Sequence, residues 1–193
     1  MTAVTHGEHA EHAEHAAEHG NKQAALLIAV FAAILAICEQ QAKHAEISVE
    51  SNAVLAADTW NEYQAKSVRS AIAQDLERMI GTLDTSTDAA LVAKRAEVVK
   101  QLREDQEHYD SDPVNGKKTL AAHARHYEEV RDKSVERSHT FDNAAAALEL
   151  GIVLSTASVI TSAKHLLRFA FVMGVLGLVL AVFGWVAPEM VAL

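Results

Sequence analysis

One cysteine, two prolines, eight glycines and 5% aromatic residues are few for a chain of 193 residues. Each shortage removes a class of protein. A lone Cys38 admits no disulfide within one chain and no cysteine-based zinc finger. An all-β fold needs turn residues about every 8–12 positions, and so few Gly and Pro do not provide them. Basic residues are outnumbered 17 to 26, a formal charge of −9. The concentrated basic face that a phosphate backbone demands is therefore missing, and nucleic acid is not an expected partner. Enzyme signatures are missing too: there is no Gly-rich phosphate loop, no G-x-S-x-G, no H-E-x-x-H and no C-x-x-C. No small-molecule substrate or cofactor is identified, and the chain is expected not to be an enzyme.

What is present is a separation of very polar from very apolar segments. Residues 1–21 repeat Glu-His-Ala and hold no Leu, Ile or Phe, so they bury too little apolar area to offset ordering and read as a disordered tail. Residues 24–38 (AALLIAVFAAILAIC) carry no charge. At 1.5 Å per residue this run covers about 22 Å, short of a bilayer core. Lys22 snorkelling at one end and Gln40–Ala42 at the other extend it to a first transmembrane helix over 22–42. A charged segment follows over 43–143. Its first helical pattern continues to about Ile80, with Val68, Ile72, Leu76, Met79 and Leu83 forming a stripe, and Gly81 and residues 82–87 end it. A second helix covers 88–109, with Leu91, Val98, Leu102 and Tyr109 as its apolar positions. The Asp-Pro and Asn-Gly steps make 110–116 a turn. A third helix begins near Lys118, with Leu120, Ala124, Tyr127, Ser134, Phe141, Ala145 and Leu148 spaced for one face. These apolar faces are thin, so hairpin or coiled-coil packing, including packing between subunits, is expected. Residues 144–163 read as a second transmembrane helix, 164–168 as a short basic loop, and the uncharged 169–188 as a third transmembrane helix with Trp185 near an interface.

The fold class is thus all-α: three transmembrane helices with an extramembrane, coiled-coil-like helical hairpin. Each span shows a face of small residues. These are Ala25, Ala29, Ala32 and Ala36 in the first; Gly151, Ser155, Ser158 and Ser162 in the second; and Ala170, Gly174, Gly177, Ala181 and Gly184 in the third. Lipid gives helices no hydrophobic reason to associate, so close approach at small residues is the main attraction available. Gly151, Ser155, Gly174, Gly177 and Gly184 are the candidate packing residues.

The segment Ala56-Ala-Asp-Thr-Trp-Asn-Glu-Tyr-Gln-Ala-Lys-Ser-Val-Arg69, set between the first span and a charged helical middle, resembles a bacterial membrane family catalogued as domain of unknown function 4337. The matching positions are Trp60, Tyr63, Gln64, Ala65, Lys66 and Arg69, in a Trp-x-x-Tyr-Gln-Ala-Lys-x-x-Arg pattern. The resemblance covers nearly the whole chain. It implies an integral membrane protein and supplies no catalytic residues.

Two readings of Trp60, Tyr63, Lys66 and Arg69 stand side by side. The strip offers aromatic and cationic groups to a partner or a lipid headgroup. Alternatively it makes a helix–helix contact, with Lys66 and Arg69 paired to Glu62 or to acids of the 88–109 helix, and this is the expected one. His9, His12, His15 and His19 are chemically able to chelate a divalent ion, and His15 and His19 stand at i, i+4. A period of three spirals them around a helix, so a solvated tail is the plainer reading. Glu136 and His139 form one Glu-x-x-His, but a di-metal bundle needs a second such motif, and Asp105 with His108 is a poor match. Glu149 reads as an interfacial carboxylate.

The expected function is a structural or accessory component of a membrane, assembling with itself or other membrane proteins. A metal- or pH-responsive sensor using the histidine tail is the alternative. A small channel or transport subunit, built on Glu149 and the hydroxyls of 155–162, is a further one. Lys22, Lys164 and Arg168 in short flanking segments favour a cytoplasmic N-terminus and a periplasmic helical domain in a bacterial inner membrane.

Overall fold

A computed structural model describes residues 22–82 and 88–187. The histidine tail, Leu83 with the 83–87 connection, and residues 188–193 lie outside them. The described residues form four helices and no strand: α1 (Lys22–Thr82), α2 (Ala89–Ser111), α3 (Lys117–Thr161) and α4 (Lys164–Val186). Three of these, α1, α3 and α4, contain a stretch long and apolar enough to cross a membrane.

Helix α1 runs through 61 residues without interruption. The change from apolar to charged residues near position 42 is not a break, because no Gly or Pro occurs between Lys22 and Ile80 and hydropathy alone does not end a helix. Helix α2 starts at Asp88, whose side chain accepts a hydrogen bond from the Ala90 amide at 2.9 Å, an N-cap that satisfies one orphan donor. At the far end of α3 the chain reverses through Ser162 and Ala163 alone. Ser162 takes a left-handed φ of 53°, unusual for a residue with a side chain. The Ser158 hydroxyl donates to the Ala163 carbonyl at 3.2 Å across this turn.

Residues 164–168, expected as a basic loop, are instead the opening of α4, and α3 stops at Thr161 where the expectation was 163. Lys, Leu and Arg are strong helix formers, and their charge reads as a loop only on a hydropathy plot.

The chain divides into two compact units. The first comprises 22–50 of α1, 131–161 of α3, and α4; the second comprises 51–130. In the first unit α1 buries Ala24, Ile28, Phe31, Leu35, Cys38, Ala42 and Ala45. The steps of four and three keep one seam against its neighbours at a repeat of 3.5 residues. Helix α3 answers with Phe141, Ala144, Ala145, Leu148 and Ile152. The second unit buries much less. Its inward side chains are Ala56, Ser70 and Ala73 of α1 with Leu120 and Ala124 of α3, and α2 buries none.

Candidate functional site

In the first unit the decisive geometry is one of knobs and notches. Helix α4 buries only Ala170, Gly174, Gly177 and Gly184, while large side chains such as Phe169 (64% exposed) and Val172 (60%) point outward. Each glycine receives a large side chain from a neighbour. The Phe31 ring of α1 sits where a Cβ on Gly174 would be, and its Cε2 lies 3.0 Å from the Cβ position of Gly151 on α3. A Cβ on Gly177 would fall 2.7 Å from Leu148 Cγ and 3.0 Å from the Ala144 carbonyl oxygen. At Gly184 the partner is Phe141, 3.1 Å away. Small residues here bring backbones close and also house aromatic rings, which increases the dispersion contact between helices.

The small-residue face expected for α4 is therefore the buried one, and Gly151, Ser155 and Ser158 on α3 are buried too. The face expected for α1 is wrong: Ala29 is exposed and Ala25, Ala32 and Ala36 are only half-buried. Notches on α4 need knobs, so α1 turns its large residues inward. Sequence reasoning missed Phe31, whose signal was its place in the 3.5-residue repeat Ile28–Phe31–Leu35–Cys38.

Two hydroxyls of the second apolar stretch are turned onto their own helix. Thr156 donates to the Ile152 carbonyl at 3.0 Å and Thr161 to that of Ala157 at 2.7 Å. Ser162 is exposed at the reversal, and Glu149 faces outward. Ser155 Oγ is buried without a hydrogen-bond partner among the described residues.

In the second unit the Trp60–Arg69 segment divides by face. Trp60, Tyr63 and Lys66 are half-buried, whereas Gln64 and Arg69 are exposed. Trp60 Nε1 donates to Glu128 Oε1 of α3 at 2.9 Å, and its ring meets Tyr63 edge-on at 5.4 Å and 85°. Lys66 Nζ pairs with Glu62 at 3.3 Å and also donates to the Asn115 carbonyl of the 110–116 turn. The helix–helix reading holds for Trp60 and Lys66. Their cross-helix partners are the turn and α3, not the acids of α2, and Arg69 makes no ion pair among the described residues.

The turn these residues grip is itself well built. Asp112 Oδ1 accepts from the Asn115 amide at 2.6 Å and the Val114 amide at 2.8 Å, and these donors hold its carboxyl below the usual range. Lys117 pairs with Asp110 at 2.5 Å. Gly116 is required by space, since a Cβ there would lie 2.5 Å from the Asp112 carbonyl oxygen. Sequence spacing gave no hint of Glu128 or Asn115 as partners, because both contacts join residues about 50 or more positions apart.

The family comparison matches residues 20–187, a stretch that takes in the first apolar run, this motif and the last apolar run. The chain belongs to the family described as Domain of unknown function (DUF4337). No curated protein and no solved structure matches it. In this member of DUF4337 the motif's Trp and Lys lock the helical hairpin. Among the described residues, no three His, Cys, Asp or Glu side chains form a group able to hold a metal ion. The candidate ligands His9, His12, His15 and His19 lie outside those residues.

Proposed function

We propose that this DUF4337 protein is a non-enzymatic structural component of a bacterial cytoplasmic membrane, which spans the bilayer three times and self-assembles through its extramembrane helices. What supports the spans is α4, which turns its large apolar residues outward and its glycines inward, the arrangement suited to hydrocarbon as the surrounding solvent. The observation that carries self-assembly is the stripe of Val68, Ile72, Leu76 and Met79 on α1. All four are exposed, in a unit whose buried core is mostly Ala. Water penalises such a stripe at about 25 cal/mol per Å², and its steps of four, four and three keep the four side chains on one helix face.

The test is the mass of the full chain in mild detergent, by light scattering corrected for bound detergent. More than one chain per particle is expected, and a single chain at all concentrations overturns self-assembly. The proposed orientation has the N-terminus in the cytoplasm and the helical domain in the periplasm, and Lys22, Lys164 and Arg168 in short flanking segments support it. Protease added to spheroplasts is then expected to cleave near 110–116. Protection there until lysis reverses the orientation.

A further inference from the structure

Where α1 begins among the described residues, it and the first turns of α4 enclose an open groove of about 830 Å³. Its walls include Leu26, Leu27, Phe171 and Val172, and its rim carries Lys164 and Arg168. The volume falls within the roughly 300–1,000 Å³ of small-molecule sites. Lys164 and Arg168 stand at i, i+4 on one helix face, and neither has an acidic partner among the described residues. Ala163, at the N-cap of α4, makes no side-chain cap bond, so the orphan amides of that helix end add to the positive field of the cations. The uncharged run of α4 begins at Phe169, directly after Arg168. Cationic groups therefore stand at one end of the groove, and an apolar wall extends away from them.

We infer that this groove is a binding site for an anionic phospholipid, whose phosphate lies between Lys164 Nζ and the Arg168 guanidinium and whose acyl chain lies along Leu26, Leu27, Phe171 and Val172. The inference rests on the membrane reading above. Arg168 presents a planar fork of donors suited to two phosphate oxygens, and Lys164 adds a mobile point charge. A free phosphate satisfies the cations but leaves the groove empty. A zwitterionic lipid fills the groove, but its own ammonium opposes the field of the rim. An anionic lipid alone meets both halves of the site, and basic pockets between membrane helices bind such headgroups generally.

The experiment uses the full chain in nanodiscs of phosphatidylcholine with increasing phosphatidylglycerol, with lipids retained after gentle release counted by native mass spectrometry. Retention of phosphatidylglycerol over phosphatidylcholine by roughly tenfold is expected. In Lys164→Gln/Arg168→Gln the preference falls to near parity. Val172→Trp, which fills the groove and leaves the cations, is expected to reduce retention of both lipids. Lys118→Gln, a cation on α3 that does not line the groove, leaves retention unchanged. Equal retention of the two lipids by the unaltered protein overturns the site, as does a preference that survives the double substitution. Displacement of the lipid by inorganic phosphate at matched concentration shows a free-anion site and overturns the lipid assignment. Extraction of the protein from native membranes by alkaline carbonate overturns the membrane reading instead. A protein that stays in the membrane but shows no headgroup preference leaves that reading standing and removes this site alone.

Discussion

Gly177→Leu is expected to lower the melting temperature of the detergent-solubilised protein by roughly 6–12 °C, the shift that about 3 kcal/mol produces in a chain of this size. Even a single added carbon at this position would lie 2.7 Å from Leu148 Cγ and 3.0 Å from the Ala144 carbonyl. The side chain can swing aside, but the carbonyl belongs to the backbone of α3 and cannot, so the two helices must separate. Separation also withdraws Phe141 from Gly184 and loosens Phe31 against Gly174, which is why one substitution acts along the whole seam. Adding Leu148→Ala to Gly177→Leu is expected to restore part of the loss, as neighbouring sites in one contact are not additive. Val179→Leu, on the exposed face of the same helix, is the control and is expected to leave melting unchanged. Unaltered melting in Gly177→Leu would mean that α4 does not pack through its glycines.

Ile72→Glu/Leu76→Glu is expected to reduce the particle to one chain without lowering the melting temperature of the bundle. Both residues are exposed, at 55% and 40%, so the single chain loses little when they change. An assembly built on them loses two aliphatic contacts per chain and gains carboxylates that must be desolvated. The expected weakening is about 3 kcal/mol or more, at least roughly a hundredfold in dissociation constant. A particle mass unaffected by the pair would place the contact elsewhere on the molecule. Arg103→Ala, which removes an exposed bridge to Glu77 between α2 and α1, is expected to change neither property, since such pairs contribute about 0–1 kcal/mol.

Much of the architecture was legible in order and spacing. Uncharged length located α4, and periodicity located α2, α3 and the charged part of α1. Periodicity also marked Leu120, Ala124, Phe141, Ala145 and Leu148 correctly. The 110–116 turn was legible because Asp-Pro and Asn-Gly restrict the backbone locally, and the small-residue face of α4 because Ala170, Gly174, Gly177, Ala181 and Gly184 recur at steps of four and three. The same local logic failed where two faces compete. On α1 the small Ala25–Ala36 face looked like the packing surface, and the Val68–Met79 stripe was the clearest apolar pattern in its charged part. Tertiary structure decided otherwise in both places. Phe31 goes inward because Gly151 and Gly174, more than 100 positions away, open the space that takes its ring. Ala56, Ser70 and Ala73 go inward, and the stripe outward, because Trp60 is anchored to Glu128 and Lys66 to the Asn115 carbonyl, which sets the rotation of α1 in that unit. Composition and spacing determine which faces a helix possesses. Which face meets a neighbour depends on shape and hydrogen bonding with residues distant in the chain, and helical periodicity carries no record of those.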